Sequence, residues 1–122
     1  MTLDNLPVFH EGRTIKFMLF EGSEGEGYVR IQRDTDIGYH KEIVTRFNRE
    51  AKYYYVDPAP KLKGGGHYSC FRNGRPKPLL SFDGESTDFG KFDKDLLLKT
   101  LETYFSQDGY DFDIFNPDGP HR

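Results

Sequence analysis

His40 opens the chemistry of this chain, in the run Gly38-Tyr39-His40-Lys41-Glu42-Ile43. It stands where an amphipathic helix should begin. Two glycine-bearing segments follow, Lys63-Gly64-Gly65-Gly66-His67 and Gly84-Glu85-Ser86-Thr87-Asp88-Phe89-Gly90. An imidazole facing backbone amides and a serine hydroxyl is the least equipment needed to hold and transfer a phosphoryl group. In a first helical turn the free N–H groups and the helix dipole favour an anion, and the positive end favours a neutral imidazole. A neutral imidazole is what a general base or nucleophile requires. His40 also shares the helix's apolar stripe, so a packing role fits the same residue.

The other segments have two readings each. Gly64, Gly65 and Gly66 read as a bend into a strand, or as a place where backbone comes close to a ligand because no Cβ intervenes. Lys63 and His67 flank that run. Residues 84–90 join a strand end to a helix, the geometry of a phosphate nest, with the Ser86 hydroxyl and the amides from Thr87 onward facing an anion; an ordinary connection with a turn serine is the other reading. Lys16 is either a solvated lysine on a strand or a cation for the same site. No Gly-Lys-Ser/Thr follows the glycine run, which argues against a nucleotide triphosphatase, and no Gly-x-Ser-x-Gly elbow occurs. Cys70, His10, His40, His67 and His121 lack metal-ligand spacing, so no metal site is expected.

The elements that must carry these residues follow from periodicity. Residues 14–20 (TIKFMLF) read as a strand, with Ile15, Phe17 and Leu19 on one face and Lys16, Met18 and Phe20 on the other. The glycine-rich run 22–27 turns into a second strand over 28–33. Asp34, Thr35 and Asp36 are N-cap candidates for a helix whose stripe is His40, Ile43, Val44, Phe47 and Ala51. That helix should fade through the tyrosines at 53–55, where a further short strand could form near Tyr54. Strands at 67–71 and 78–82 are joined through the turn signal Asn73-Gly74, and Pro76 and Pro78 delay the second of them. Asp93 caps a second helix with the stripe Leu97, Leu101, Tyr104 and Phe105, which ends at Asp108-Gly109. Residues 110–115 (YDFDIF) alternate as a last strand.

The order β-β-α-β-β-α-β describes one α/β (α+β) domain over residues 1–122, with tails at 1–12 and 116–122. The expected architecture is a single mixed, mostly antiparallel sheet of about six strands with one helix on each face. A chain of 122 residues buries one core, and a net charge of −3 offers no general field for nucleic acid. No stretch approaches the ~20 apolar residues of a membrane span, and the N-terminus lacks a signal-peptide pattern. A single cysteine rules out an internal disulfide and fits a cytoplasmic or nuclear compartment.

Taken in order, the motifs resemble the 14 kDa protein-histidine phosphatase family, which also contains the Janus proteins. The likeness spans roughly residues 14–114. It rests on Ile15-Lys16-Phe17 in a strand, Tyr39-His40 at a helix start, Leu62-Lys63-Gly64-Gly65-Gly66, the 84–90 loop, the second helix and the Tyr110-Asp111 strand. The resemblance implies metal- and cofactor-free removal of phosphate from phosphohistidine, and from phospholysine, in other proteins by a monomer. It implies His40 as general base or nucleophile, with Tyr39 and Lys16 assisting. Gly66, His67, Thr87, Ser86 and the amide of Asp88 would then hold the phosphoryl group. This chain has His67 where the family's vertebrate members carry arginine, and Asp88 where the family has a small apolar residue. A phosphate-recognising module without catalysis, or a regulatory interaction protein on the same fold, are the rival expectations.

Overall fold

The structure is a computed structural model that describes residues 14–32, 40–72, 74, 76–86, 89–105, 109 and 111–114. Alternation along the first strand decides the layering. In β1 (Ile15–Glu21) Phe17 and Leu19 point to one face of the sheet and Met18 and Phe20 to the other, and all four are buried. A strand buried on both faces needs a helix on each side, and two helices supply them.

The remaining elements are β2 (Gly27–Ile31), α1 (His40–Tyr53), β3 (Lys61–Phe71), β4 (Leu79–Asp83), α2 (Lys94–Tyr104) and β5 (Asp111–Ile114). They form a five-stranded sheet in the order β2-β1-β3-β4-β5. The pairs β1–β2, β1–β3 and β3–β4 are antiparallel, while β4–β5 is parallel because α2 crosses between them. On one face Leu96, Leu97 and Leu101 of α2 pack against Phe17, Leu19, Val29, Tyr68, Leu80 and Phe82. On the other, Ile43, Phe47 and Ala51 of α1 cover Met18, Phe20 and Tyr28. The mixed, mostly antiparallel sheet between two helices is as expected.

The edge strand β2 is closed by arginines. Gln32 N–H donates to the Lys16 carbonyl (2.8 Å) and Gly22 N–H to that of Glu26 (2.8 Å). That alternation turns the carbonyls of Val29 and Ile31 away from β1. Arg30 donates to Val29 O (3.2 Å) and Arg46 to Ile31 O (2.8 Å). Arg30 is itself buried, paired with Glu50 at 3.1 Å and lying 5.0 Å over the Phe47 ring.

Three expectations need correction. The sheet has five strands among the described residues, and there is no strand near Tyr54. There α1 runs to Tyr53 and closes through Tyr54 N–H to Glu50 O (3.1 Å) and Val56 N–H to Ala51 O (2.9 Å), with Tyr55 at φ 58°. The tyrosines' β preference is overridden by this helix closure. Second, the triple glycine is not a bend before a strand but lies inside β3. A Cβ on Gly64 would strike Lys91 O, and one on Gly65 would strike Met18 Sδ and stand 2.6 Å from Phe17 O. These glycines sit in a crowded sheet with a register shift opposite them between Met18 and Phe20. Third, Tyr104 is 48% exposed, and Leu96 and Thr100 join Leu97 and Leu101 as the buried residues of α2. Thr100 tolerates burial because its hydroxyl donates to Leu96 O at 2.7 Å. The cap on α2 is as expected, with Asp93 Oδ1 accepting from Leu96 N–H at 3.0 Å.

Candidate functional site

His40 is the first residue of α1 and is only 6% exposed. Its ring lies on the backbone of β3, with Nε2 2.8 Å from the carbonyl oxygen of Gly66. A carbonyl can only accept, so Nε2 carries a hydrogen, and in the neutral ring Nδ1 holds the lone pair. The glycine run explains how the ring comes so close. A Cβ on Gly65 would sit 3.2 Å from His40 Cδ2 besides crowding Met18 and Phe17. At Gly65 the imidazole thus shares with Met18 and Phe17 the space a side chain would need.

The sheet register assembles the rest. Lys16 of β1 is the cross-strand partner of His67 on β3, and His67 is in turn the partner of Asp83 on β4. Directly opposed residues share a face, and the Lys16–Met18–Phe20 alternation makes it the face that α1 covers. The rings of His40 and His67 are 6.0 Å apart and nearly perpendicular, at 78°. Gly84 follows Asp83 at φ 73°, and a Cβ there would press on His67 Nδ1 at 2.9 Å. The exit of β4 is thus shaped around the His67 ring. Lys16 is half-buried, its strand start held by its own N–H donating to Gln32 Oε1 (3.1 Å).

Ser86 lies in a loop that closes on itself. Ser86 N–H donates to Gly90 O (3.1 Å), Gly90 N–H to Ser86 O (2.8 Å), and Phe89 N–H to Ser86 Oγ (3.2 Å). Ser86 is 1% exposed. Gly90 O also accepts from Gly65 N–H (3.3 Å), and Asp93 N–H donates to Lys63 O (3.0 Å), so the loop is stitched along the glycine run. Phe92 and Phe89 fasten it to opposite faces, Phe92 against Phe17 (ring centroids 5.2 Å) and Phe89 against the α1-side core.

Of the residues singled out in the sequence, His40, Gly66, His67, Lys16 and the Ser86 loop are brought to one end of the sheet. Tyr39, Thr87 and Asp88, and the N-cap candidates Asp34 to Asp36, lie outside the described residues. Within the glycine run, Gly65 N–H donates to Gly90 O and the Gly66 carbonyl faces His40 Nε2. The run supplies room and an acceptor. Sequence reasoning missed Asp83, and it missed that Gly84, though named in the 84–90 loop, packs on His67. Their relation to His67 is a matter of register, and the signal available was that a strand ends at Asp83-Gly84.

Chemically, the arrangement offers a buried imidazole bonded through Nε2 to a carbonyl, a second imidazole beside it, a lysine on the same face and a buried serine in a closed loop. Such a group can take a proton from water or attack an electrophile, with cations at hand for a negative substrate. No protein-family model matches this chain, and no curated protein matches it.

Proposed function

We propose that this chain is a protein phosphatase acting on phosphohistidine, and on phospholysine, without a metal or cofactor. The observation that carries the reading is the 2.8 Å bond between His40 Nε2 and Gly66 O, which leaves Nδ1 as the basic nitrogen of a fixed, buried ring. In hydrolysis, the oxygen of water attacks phosphorus while His40 Nδ1 takes its proton. The P–N bond breaks, its electron pair goes to the departing imidazole nitrogen, which takes the proton held on His40 Nδ1, and orthophosphate is released. If Nδ1 itself attacks, the same ring holds the phosphoryl group until water displaces it. Both routes need the same tautomer. Lys16 and His67 on the covered face and the Ser86 loop are the groups for the phosphoryl oxygens, with Gly66 as the anchor of the base. Tyr39, Thr87 and Asp88 are assigned to the same site on the family resemblance.

The P–N bond is labile, so positioning and charge stabilisation carry most of the catalytic work. The substrates are phosphohistidine-containing proteins, met by a monomer in the cytoplasm or nucleus, with no nucleic-acid or membrane partner. Among the described residues no helix is long and apolar enough to cross a membrane. The test is turnover of a phosphohistidine peptide in EDTA. His40→Ala should lower it by about 10²–10⁴-fold with the circular dichroism unchanged. Undiminished turnover in that variant sinks the assignment. Phosphopeptide binding by the native protein without turnover favours a recognition module on this fold.

A further inference from the structure

We propose that His67 is a proton-dependent anion-binding group, so that a tetrahedral dianion bound beside His40 draws a proton onto the protein. The inference rests on the reading of this end of the sheet as a phosphoryl site. It concerns how that site obtains its positive charge.

The groups facing His67 can be named element by element. From β1 comes Lys16 and from β4 Asp83, its two cross-strand partners. From α1 comes His40, whose ring is 6.0 Å away and edge-on. The loop after β4 contributes the backbone of Gly84, turned so that its missing side chain leaves room at His67 Nδ1. The charged residues described in that loop, Glu85, Lys91 and Asp93, are exposed. Lys16 and Asp83 are of opposite sign, so between them they offer a dianion little net charge. His40 cannot supply a cation and also act as base, since protonating it fills the lone pair the chemistry uses. Among the described groups His67 remains, half-buried beside the buried His40. A histidine carries charge only when protonated, which happens near neutrality, whereas an arginine is charged throughout. Affinity for a dianion must then be linked to pH.

Sulfate is the probe, because it is a tetrahedral dianion that does not itself titrate near neutrality. Its affinity for the full chain is followed by the amide resonances of Gly65, Gly66 and Ser86 from about pH 5.5 to about pH 8.5. The expected result is an affinity that falls toward about tenfold per pH unit on the alkaline side. His67→Arg should bind across the whole range without that fall, and His67→Gln should bind weakly throughout. Wild-type affinity that stays constant with pH overturns the proposal and leaves the phosphatase reading standing. So does a His67→Arg or His67→Gln variant that keeps the wild-type pH profile, which would assign the proton to another group. Absence of sulfate binding by the wild type even at the acidic end overturns the anion site itself.

Discussion

The Gly66 carbonyl decides which nitrogen of neutral His40 carries the hydrogen, and the missing Cβ of Gly65 leaves room between that ring, Met18 and Phe17. Both statements are testable at single residues. Long-range proton–nitrogen NMR should find neutral His40 with its hydrogen on Nε2 and an unprotonated Nδ1; the opposite tautomer would remove the base from the proposed chemistry. Gly65→Ala introduces a Cβ against Met18, Phe17 O and His40 Cδ2. Overpacking of this kind costs about 1–3 kcal/mol, and the displaced ring should lose activity beyond what the stability change explains. Gly74→Ala is the comparison, since a Cβ there meets nothing and only the φ of 68° is strained; denaturant midpoints and turnover of the two variants separate the effects. His40 was legible in the sequence from its place at a helix start, and Lys16 from strand alternation. That the Gly66 carbonyl would meet the His40 ring was not legible. It depends on which atoms of β1 and α1 lie opposite the glycines, and cross-strand register is not written in one strand's residues.

Among the elements, the β1–β2 hairpin shows how a turn rich in glycine and glutamate is held. Glu26 accepts from Glu24 N–H through one carboxylate oxygen (3.0 Å) and from the Tyr28 hydroxyl through the other (3.1 Å). Its carboxyl is held below the ordinary value of 4.5, first by its own backbone N–H, with burial opposing, then by the Glu24 N–H, Tyr28 and Lys99. The Tyr28 phenol is pushed up, chiefly by burial and then by Glu26. A carboxyl lowered on folding stabilises the fold fully above its unfolded value and loses that contribution as pH falls through its folded value. Glu26→Gln should therefore melt earlier than wild type at neutral pH, and the gap should close on acidification below about pH 4.5. A gap that persists unchanged in acid contradicts the account. Elements whose pattern is set locally were readable: the two-faced alternation of β1, the Asp93 cap and the apolar stripe of α1. Those decided by neighbours were not. The tyrosines at 53–55 favour a strand by type yet close a helix, and Gly64 to Gly66 look like a breaker yet lie within an 11-residue strand.

At the scale of the molecule, the sheet is a partition with an apolar cluster on each side, the α1-side one lying over β1 and β2, and the candidate site lies on the α1 side. The loop from Gly84 to Asp93 joins the two sides, with Phe89 in one core and Phe92 in the other. Its tethers to Gly65 and Lys63 keep Ser86 beside the strand that holds His40. The single sheet with a helix on each face follows from the order of elements and their apolar faces. The strand order and the parallel β4–β5 pair do not, because they are fixed by how α2 crosses the sheet. A site gathered from β1, α1, β3, β4 and the loop before α2 exists only in the folded chain, and its chemistry is that of the whole protein. Orthophosphate release, followed by phosphorus NMR in EDTA on a phosphohistidine peptide and on a phosphoserine peptide of the same sequence, tests the central claim most directly. The account predicts release from the first, where an imidazole departs from a labile P–N bond, and none from the second, where an alkoxide must leave. No release from the phosphohistidine peptide, or equal release from both, would contradict it.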